Sequence, residues 1–240
     1  MNKWVDMRDG GYMDMSKWKN AYKDFNFEDF EGKDCIVGID LATKLDLTSI
    51  GFEFMHKGKY YVLSHSFMPR ETFNKRVKEA RMPFDLWEKE GWLTVTDGMV
   101  VDYNYIKKYI QDLEIKYNIA ITEICYDPWN ATQFANDMSE LGYNMIEIRQ
   151  GIKTLGEPCK SFREEVYQGN LYHNNNPVLT WACSNAITKQ DANANFMLDK
   201  SQSNDKIDPL AALINAHVIA IKDPLDINEI TSEMLDMLGW

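Results

Sequence analysis

Three aspartates, Asp40, Asp127 and Asp208, carry the chemistry this chain can offer. Asp40 falls near the end of the run Cys35-Ile36-Val37-Gly38-Ile39-Asp40-Leu41-Ala42-Thr43, which reads as a buried strand. An ionised carboxylate among dry groups is costly unless a cation meets it. No Lys or Arg lies within three residues of Asp40. Asp127 follows the strand-like run Ile119–Tyr126 at once, and Asp208 opens an Ala-rich helical segment. Asp205 stands three residues before Asp208. If the strands ending in Asp40 and Asp127 are parallel neighbours, their carboxylates share one sheet edge. Acids gathered there repel unless cations sit among them. An all-oxygen cluster suits Mg²⁺ or Mn²⁺ rather than zinc, and two such ions serve phosphodiester cleavage. Each acid also has a structural reading. Asp127 before Pro128 can be a turn former, Asp208 before Pro209 a helix N-cap, and Asp205 and Lys206 solvated charges. Asp46, Asp97 and Asp102 read as turn residues.

The elements that must position these acids are legible in order. Met15–Tyr22 has the pattern of a short helix, with Trp18 and Tyr22 on one face. Strands are expected at 35–42, 47–55 and 60–68, joined by short turns and therefore antiparallel. A charged helix over 71–81 and an aromatic stretch containing Phe84, Trp87 and Trp92 follow, with a short β run at 93–96. An amphipathic helix is expected over 104–117. From Ile119 the pattern alternates: strand, a helix capped by Asn130 and closed at Gly142, then a strand over 143–148. That βαβ unit makes its two strands parallel. Helices are expected at 157–168, 177–187 and from Ile207 to Asp223-Pro224, with 192–203 a loop or short hairpin. The fold class is α/β, a mixed sheet of about five main strands flanked by helices.

The bulk numbers narrow the function. A net charge of −11 argues against a simple basic nucleic-acid binder, though a carboxylate metal site that recruits cations is compatible with it. No stretch of 18 apolar residues exists, so no membrane-spanning helix is expected. The four cysteines form no C-x-x-C pair and read as buried free thiols, and the four histidines lack zinc-like spacing.

Several short motifs, in order, carry a resemblance: Gly38-Ile39-Asp40-Leu41-Ala42 with Asp46-Leu47-Thr48, then Tyr126-Asp127-Pro128-Trp129-Asn130-Ala131, Gln150-Gly151, Asn176-Pro177-Val178-Leu179 with Trp181 and Ser184-Asn185, and Asn204-Asp205-Lys206-Ile207-Asp208-Pro209. Together they resemble the nuclease half of tailed-phage large terminase subunits. The resemblance implies an RNase H-like fold and a metal-dependent endonuclease that cuts concatemeric double-stranded DNA during packaging. The family's metal-binding acids match Asp40, Asp127 and Asp208, with Asp205 a weaker match, and imply two ions, Mg²⁺ or Mn²⁺. Lys44, Arg149 and Lys206 are candidates to touch phosphate, with surface charge as the plainer role. In the full-length protein the implied partners are an ATPase domain, a portal and a small terminase subunit, and the implied location is the host-cell cytoplasm.

The chain has no G-x-x-x-x-G-K-[ST] phosphate loop. Residues 1–34 are therefore expected to be an arm leading from an ATPase, residues 35–225 the nuclease domain, and 226–240 a tail. With no coiled-coil heptads, the isolated domain is expected to be a monomer. Transposase-, integrase- or resolvase-like nucleases share the fold group. A non-catalytic nuclease-like module would be expected to lack the acids, and a sugar-kinase or actin-like ATP-binding domain would need further Gly-rich turns that the second half lacks.

Overall fold

The computed structural model describes residues 11–41, 46–79, 81–129 and 131–222. Lys44, Asn130, the helix stop at Asp223-Pro224, the 226–240 tail and the first ten residues of the arm lie outside them.

β1 (Asp34–Asp40), β2 (Thr48–His56) and β3 (Lys59–Pro69) form an antiparallel meander. α2 (Arg70–Glu79), α3 (Phe84–Lys89), β4 (Leu93–Thr96) and α4 (Tyr103–Tyr117) follow, and β4 lies parallel to β3. The βαβ unit is β5 (Ala120–Tyr126), α5 (Thr132–Glu140) and β6 (Met145–Glu147), with β5 parallel to both β1 and β6. The central sheet runs β4-β3-β2-β1-β5-β6, and β7 (Leu171–His173) adds to β3 in parallel. This is the expected mixed sheet, extended by β7, which is too short to show periodicity. α1 (Met15–Asn20), α6 (Ile152–Gln168), α7 (Pro177–Asn185), the hairpin β8 (Thr188–Gln190) with β9 (Phe196–Leu198), and α8 (Asp208–Ala220) complete the described chain.

Period-two alternation divides the strands between two cores. Cys35, Val37 and Ile39 of β1, Ile50, Phe52 and Phe54 of β2, and Ile124 and Tyr126 of β5 pack under α4 and α5. There the expected apolar stripe of α4 buries Ile106, Ile110 and Leu113. The opposite face is covered by α8, whose residues are nearly all buried, as a helix apolar on every side must be. α8 is seated there because Gly38 and Gly51 are cross-strand partners with no side chains. A Cβ on Gly38 would lie 1.8 Å from the Ala212 carbonyl oxygen, so only glycine admits the helix this closely.

Several expectations shift. α6 begins at Ile152, not at 157. Gly156 and Pro158 are both buried within the helix, and a Cβ on Gly156 would lie 3.5 Å from the Phe196 carbonyl oxygen of the hairpin; packing overrides propensity. α1 ends at Asn20, so Trp18 is buried at 1% while Tyr22 lies outside the helix and is 48% exposed. The described part of the arm folds onto the main core. Tyr12 donates its hydroxyl to the Cys159 carbonyl at 2.8 Å, and the Trp18 ring stacks on His173 at 4.0 Å. All four cysteines are free and buried, as expected.

Candidate metal centre

Asp40 and Asp127 are placed by strand register. Ile39 pairs with Tyr126 in the parallel β1–β5 ladder, so the two acids come next, level with one another, at the carboxyl ends of neighbouring strands. Alternation puts both on the α8 side: Asp40 follows Gly38 across Ile39, and Asp127 follows Cys125, which packs among α8 residues. Asp208 begins α8 and is brought to the same edge by the glycine seat. Asn215 of α8 locks the arrangement, donating from Nδ2 to the Ile39 carbonyl at 3.0 Å, one residue from Asp40. Gln150 in turn donates to Asn215 Oδ1 at 3.2 Å and to the Ile148 carbonyl at 3.0 Å.

The electrostatics follow from burial. Asp40 is 3% exposed and Asp208 7%. Burial first, and Asp40 second, push the Asp208 carboxyl up to about 7, against the opposing pull of Lys200 and Lys206. Asp208 Oδ2 is buried with no hydrogen-bond partner among the described residues. Burial also raises Asp127, and Asp40 adds to this, while the Trp129 N–H and Lys200 oppose it. Asp127 Oδ1 accepts from the Trp129 N–H at 3.0 Å, so its turn-forming role is real and leaves Oδ2 for other use. Asp208 is not the N-cap: that position is Ile207, with no side-chain cap bond. Freed from capping, the Asp208 carboxylate has no structural duty that accounts for its burial.

Asp205 behaves otherwise. It is paired with Arg76 of α2 at 3.2 Å and accepts from the Lys206 N–H at 2.9 Å. Lys206 pairs with Asp46. Neither is the solvated charge expected of it; each ties the segment before α8 to another part of the chain. Asp102 is the N-cap of α4, accepting from the Asn104 N–H at 2.9 Å, rather than a simple turn residue. Arg149 is exposed.

One residue at the site escaped sequence reasoning. Lys200, in the loop between β9 and α8, places Nζ 2.5 Å from Asp40 Oδ2. Although desolvation opposes its charge, Asp40, Asp208 and Asp127 together raise its pKa above the ordinary lysine value. It lies 160 positions from Asp40 in a polar segment, and nothing local in the sequence distinguishes it from a surface lysine. Among the described residues no three acid, histidine or cysteine side chains are closed into a ready coordination group. The donor set nonetheless fits a hard divalent ion: carboxylate oxygens only, one of them buried and unpartnered, beside a clustered negative charge that already attracts a cation.

Comparison with known proteins decides the family. The description "Terminase large subunit, endonuclease domain" matches residues 1–223. The chain belongs to this family of terminase nuclease domains. It is 32% identical over 179 residues to the terminase large subunit of Enterobacteria phage HK97, covering 73% of this chain and 35% of that protein. It is 31% identical over 229 residues to Protein YmfN of Escherichia coli K12, covering 90% of this chain and 50% of YmfN. The crystal structure of the HK97 large terminase superposes with a TM-score of 0.79 at 27% identity, over 88% of this chain and 43% of that one. The chain thus spans half or less of the length of the curated relatives it matches. The large terminase nuclease of the thermophilic phage G20c, in a crystal structure with bound magnesium, shares the fold at a TM-score of 0.50 and 11% identity, over 77% of this chain and 80% of that one. The central sheet and its flanking helices are accordingly the RNase H-like architecture of terminase nucleases. No described helix is long and apolar enough to cross a membrane.

Proposed function

We propose that this domain is a divalent-metal-dependent endonuclease acting on double-stranded DNA, with Asp40, Asp127 and Asp208 as its metal-binding acids. The observation that carries the reading is the convergence of two level strand-end carboxylates with a buried helix-start carboxylate whose Oδ2 has no partner among the described residues. In a family of nuclease domains, with the G20c nuclease crystallised with magnesium in one structure and cobalt in another, that donor set supports Mg²⁺ or Mn²⁺. When bound, two such ions supply an activated water and charge stabilisation for the leaving 3′ oxygen.

The chain's own residues prepare the site. Asp40, the most central of the three acids, would be shared between the ions, with Asp127 completing one position and Asp208 the other. Asn215 and the Gly38–Gly51 seat hold Asp208 against the edge, and the burial of Asp208 keeps water from screening it. Asp205, engaged by Arg76, serves as a brace for the pre-α8 segment rather than a ligand. Trp129, 75% exposed next to Asp127, offers a flat surface at the mouth of the site against which nucleic acid can rest.

In the full-length protein we place this activity at the cutting of concatemeric viral DNA in the host cytoplasm, alongside an ATPase domain, a portal and a small terminase subunit. The test is nicking and linearisation of supercoiled plasmid by the 240-residue chain with Mg²⁺, with Mn²⁺ and with EDTA, for the wild type and for Asp40→Ala, Asp127→Ala and Asp208→Ala. Cleavage that needs metal and is lost in each variant supports the proposal. Full activity in all three variants, or in EDTA, overturns it.

A further inference from the structure

Lys200 stands where the acids of the site would otherwise repel one another. Its contact with Asp40 Oδ2, at 2.5 Å, is its one ion pair among the described residues. It also lines both cavities at the site. The larger, about 290 Å³, is walled in part by Asp127, Gln150 and Asn215. The smaller, about 190 Å³, is walled in part by Asp205, Lys206 and Asp208. Lys200 therefore borders both the cavity lined by Asp127 and the cavity lined by Asp208, while its ammonium is held on Asp40.

Its attachment is of a kind that can be released. The Lys200 side chain is 49% exposed, while that of Asp40 is 4% exposed. The loop carrying it is held by its own short bonds, independent of the ammonium. Asp199 Oδ1 accepts from the Ser201 N–H at 3.0 Å and hydroxyl at 2.6 Å, and the Ser203 hydroxyl donates to the Asp199 carbonyl at 2.7 Å. The side chain can swing outward without unfolding the loop. An ammonium and a divalent ion held by one carboxylate repel each other, so the two compete for Asp40. Asp208 Oδ2, meanwhile, has no partner among the described residues even with Lys200 in place, so one lysine does not satisfy the cluster.

We propose that Lys200 is a built-in counter-cation of this site: it neutralises Asp40, competes with a divalent ion for that carboxylate, and so sets the metal concentration at which the site fills. This rests on the reading of Asp40, Asp127 and Asp208 as a metal centre. In the metal-free state Lys200 limits repulsion among buried acids, and the same contact becomes a penalty against metal. Site occupancy would then respond to Mg²⁺ or Mn²⁺ over a higher range than the bare acids would give.

The experiment is calorimetric titration of Mn²⁺ into the full 240-residue chain, with thermal melts in EDTA and in Mn²⁺. The variants are Lys200→Gln, which removes the charge, Lys200→Arg, which keeps it, and Asp40→Asn. Lys200→Gln should bind Mn²⁺ about tenfold more tightly, a change of about 1.4 kcal/mol. It should also melt lower than wild type in EDTA and gain more on adding Mn²⁺. Lys200→Arg should stay near wild type, which separates charge from side-chain packing. Unchanged or weaker Mn²⁺ binding in Lys200→Gln, with binding still lost in Asp40→Asn, overturns the counter-cation role and leaves the metal centre standing. Absence of Mn²⁺ binding in wild type and Lys200→Gln alike overturns the metal-centre reading, and this inference with it.

Discussion

Gly38 and Gly51 face each other across the β1–β2 ladder, and α8 rests on the pair. Asp40 is two residues beyond Gly38 on the same strand face, and Asp208 is at the end of the helix that the pair admits. The spacing between those two acids is thus set by the absence of two side chains.

Alanine at Gly38 would place its Cβ 1.8 Å from the Ala212 carbonyl and 2.7 Å from the Ala216 nitrogen, both backbone atoms of a buried helix. Gly38→Ala should fold poorly or not at all. At Gly51 the two nearest atoms, 2.7 and 2.8 Å away, belong to the Leu213 side chain, which can turn aside, and the Leu213 backbone nitrogen at 2.9 Å requires only a small shift of the helix. Gly51→Ala should fold with a loss of about 1–3 kcal/mol, typical of overpacking. Urea denaturation followed by circular dichroism distinguishes the two. Equal stability of both variants to wild type would refute the seat.

Asp208→Asn should trade stability for function. The carboxylate is buried, is repelled by the charge of Asp40 and leaves Oδ2 unpartnered among the described residues. Removing its charge relieves that repulsion, so the variant should melt a few degrees higher than wild type in EDTA while plasmid cleavage is lost. Active sites commonly hold such destabilising groups. A lower melting point in EDTA would mean that Asp208 is a structural acid.

Glu53 of β2 and His217 of α8 form a buried pair on the same sheet face, at 2.6 Å between Oε1 and Nδ1, with Ser161 at 3.1 Å from Nε2. Both side chains are at most 1% exposed. Glu53→Leu alone should destabilise by about 3–5 kcal/mol, because it strands His217 in the core. Glu53→Leu combined with His217→Leu should recover much of that loss, since paired removal leaves only the half-buried Ser161 hydroxyl to re-pair. A double-mutant cycle in urea measures the coupling; additive losses would refute it.

Two buried histidines should draw stability down on mild acidification, against an opposite contribution from Asp208, whose raised pKa of about 7 makes the folded state take up that proton first. Burial lowers the His65 pKa from 6.5 to about 4, and burial does the same for His173, with a smaller opposing effect from the Trp18 carbonyl. His173 is held as the neutral ring, Nε2 donating to the Trp18 carbonyl at 2.7 Å and Nδ1 accepting from the Asn175 N–H at 3.0 Å. The folded pKa values lie below the unfolded one, so the unfolded chain takes up protons first. This contribution is complete above pH 6.5 and drains away as the pH falls towards 4. Each histidine is expected to contribute on the order of a few kcal/mol to that slope. Denaturant midpoints measured between pH 7.5 and 4.5 test it, and His65→Phe should make the slope visibly shallower.

The amino-acid sequence by itself determined the elements and the family of acids. β1, β2 and β3 follow from alternation and turn residues, α4 from its apolar stripe, and the parallel β5–β6 pair from a strand-helix-strand rhythm that admits few other topologies. Asp40 and Asp127 could each be set at the end of a strand from local sequence, whereas the pairing of β1 with β5 that puts them level on one edge belongs to the folded sheet. β7 and the true start of α6 were not legible, since three residues carry no period and Gly156 and Pro158 are helical only because of what they pack against. Tertiary structure alone decided the partners of the charges. Arg76 claims Asp205, Asp46 claims Lys206, and Lys200 reaches Asp40 across 160 positions of chain. Charge attraction acts through space, so a residue's type announces that a partner is needed, while only the folded chain specifies which one answers.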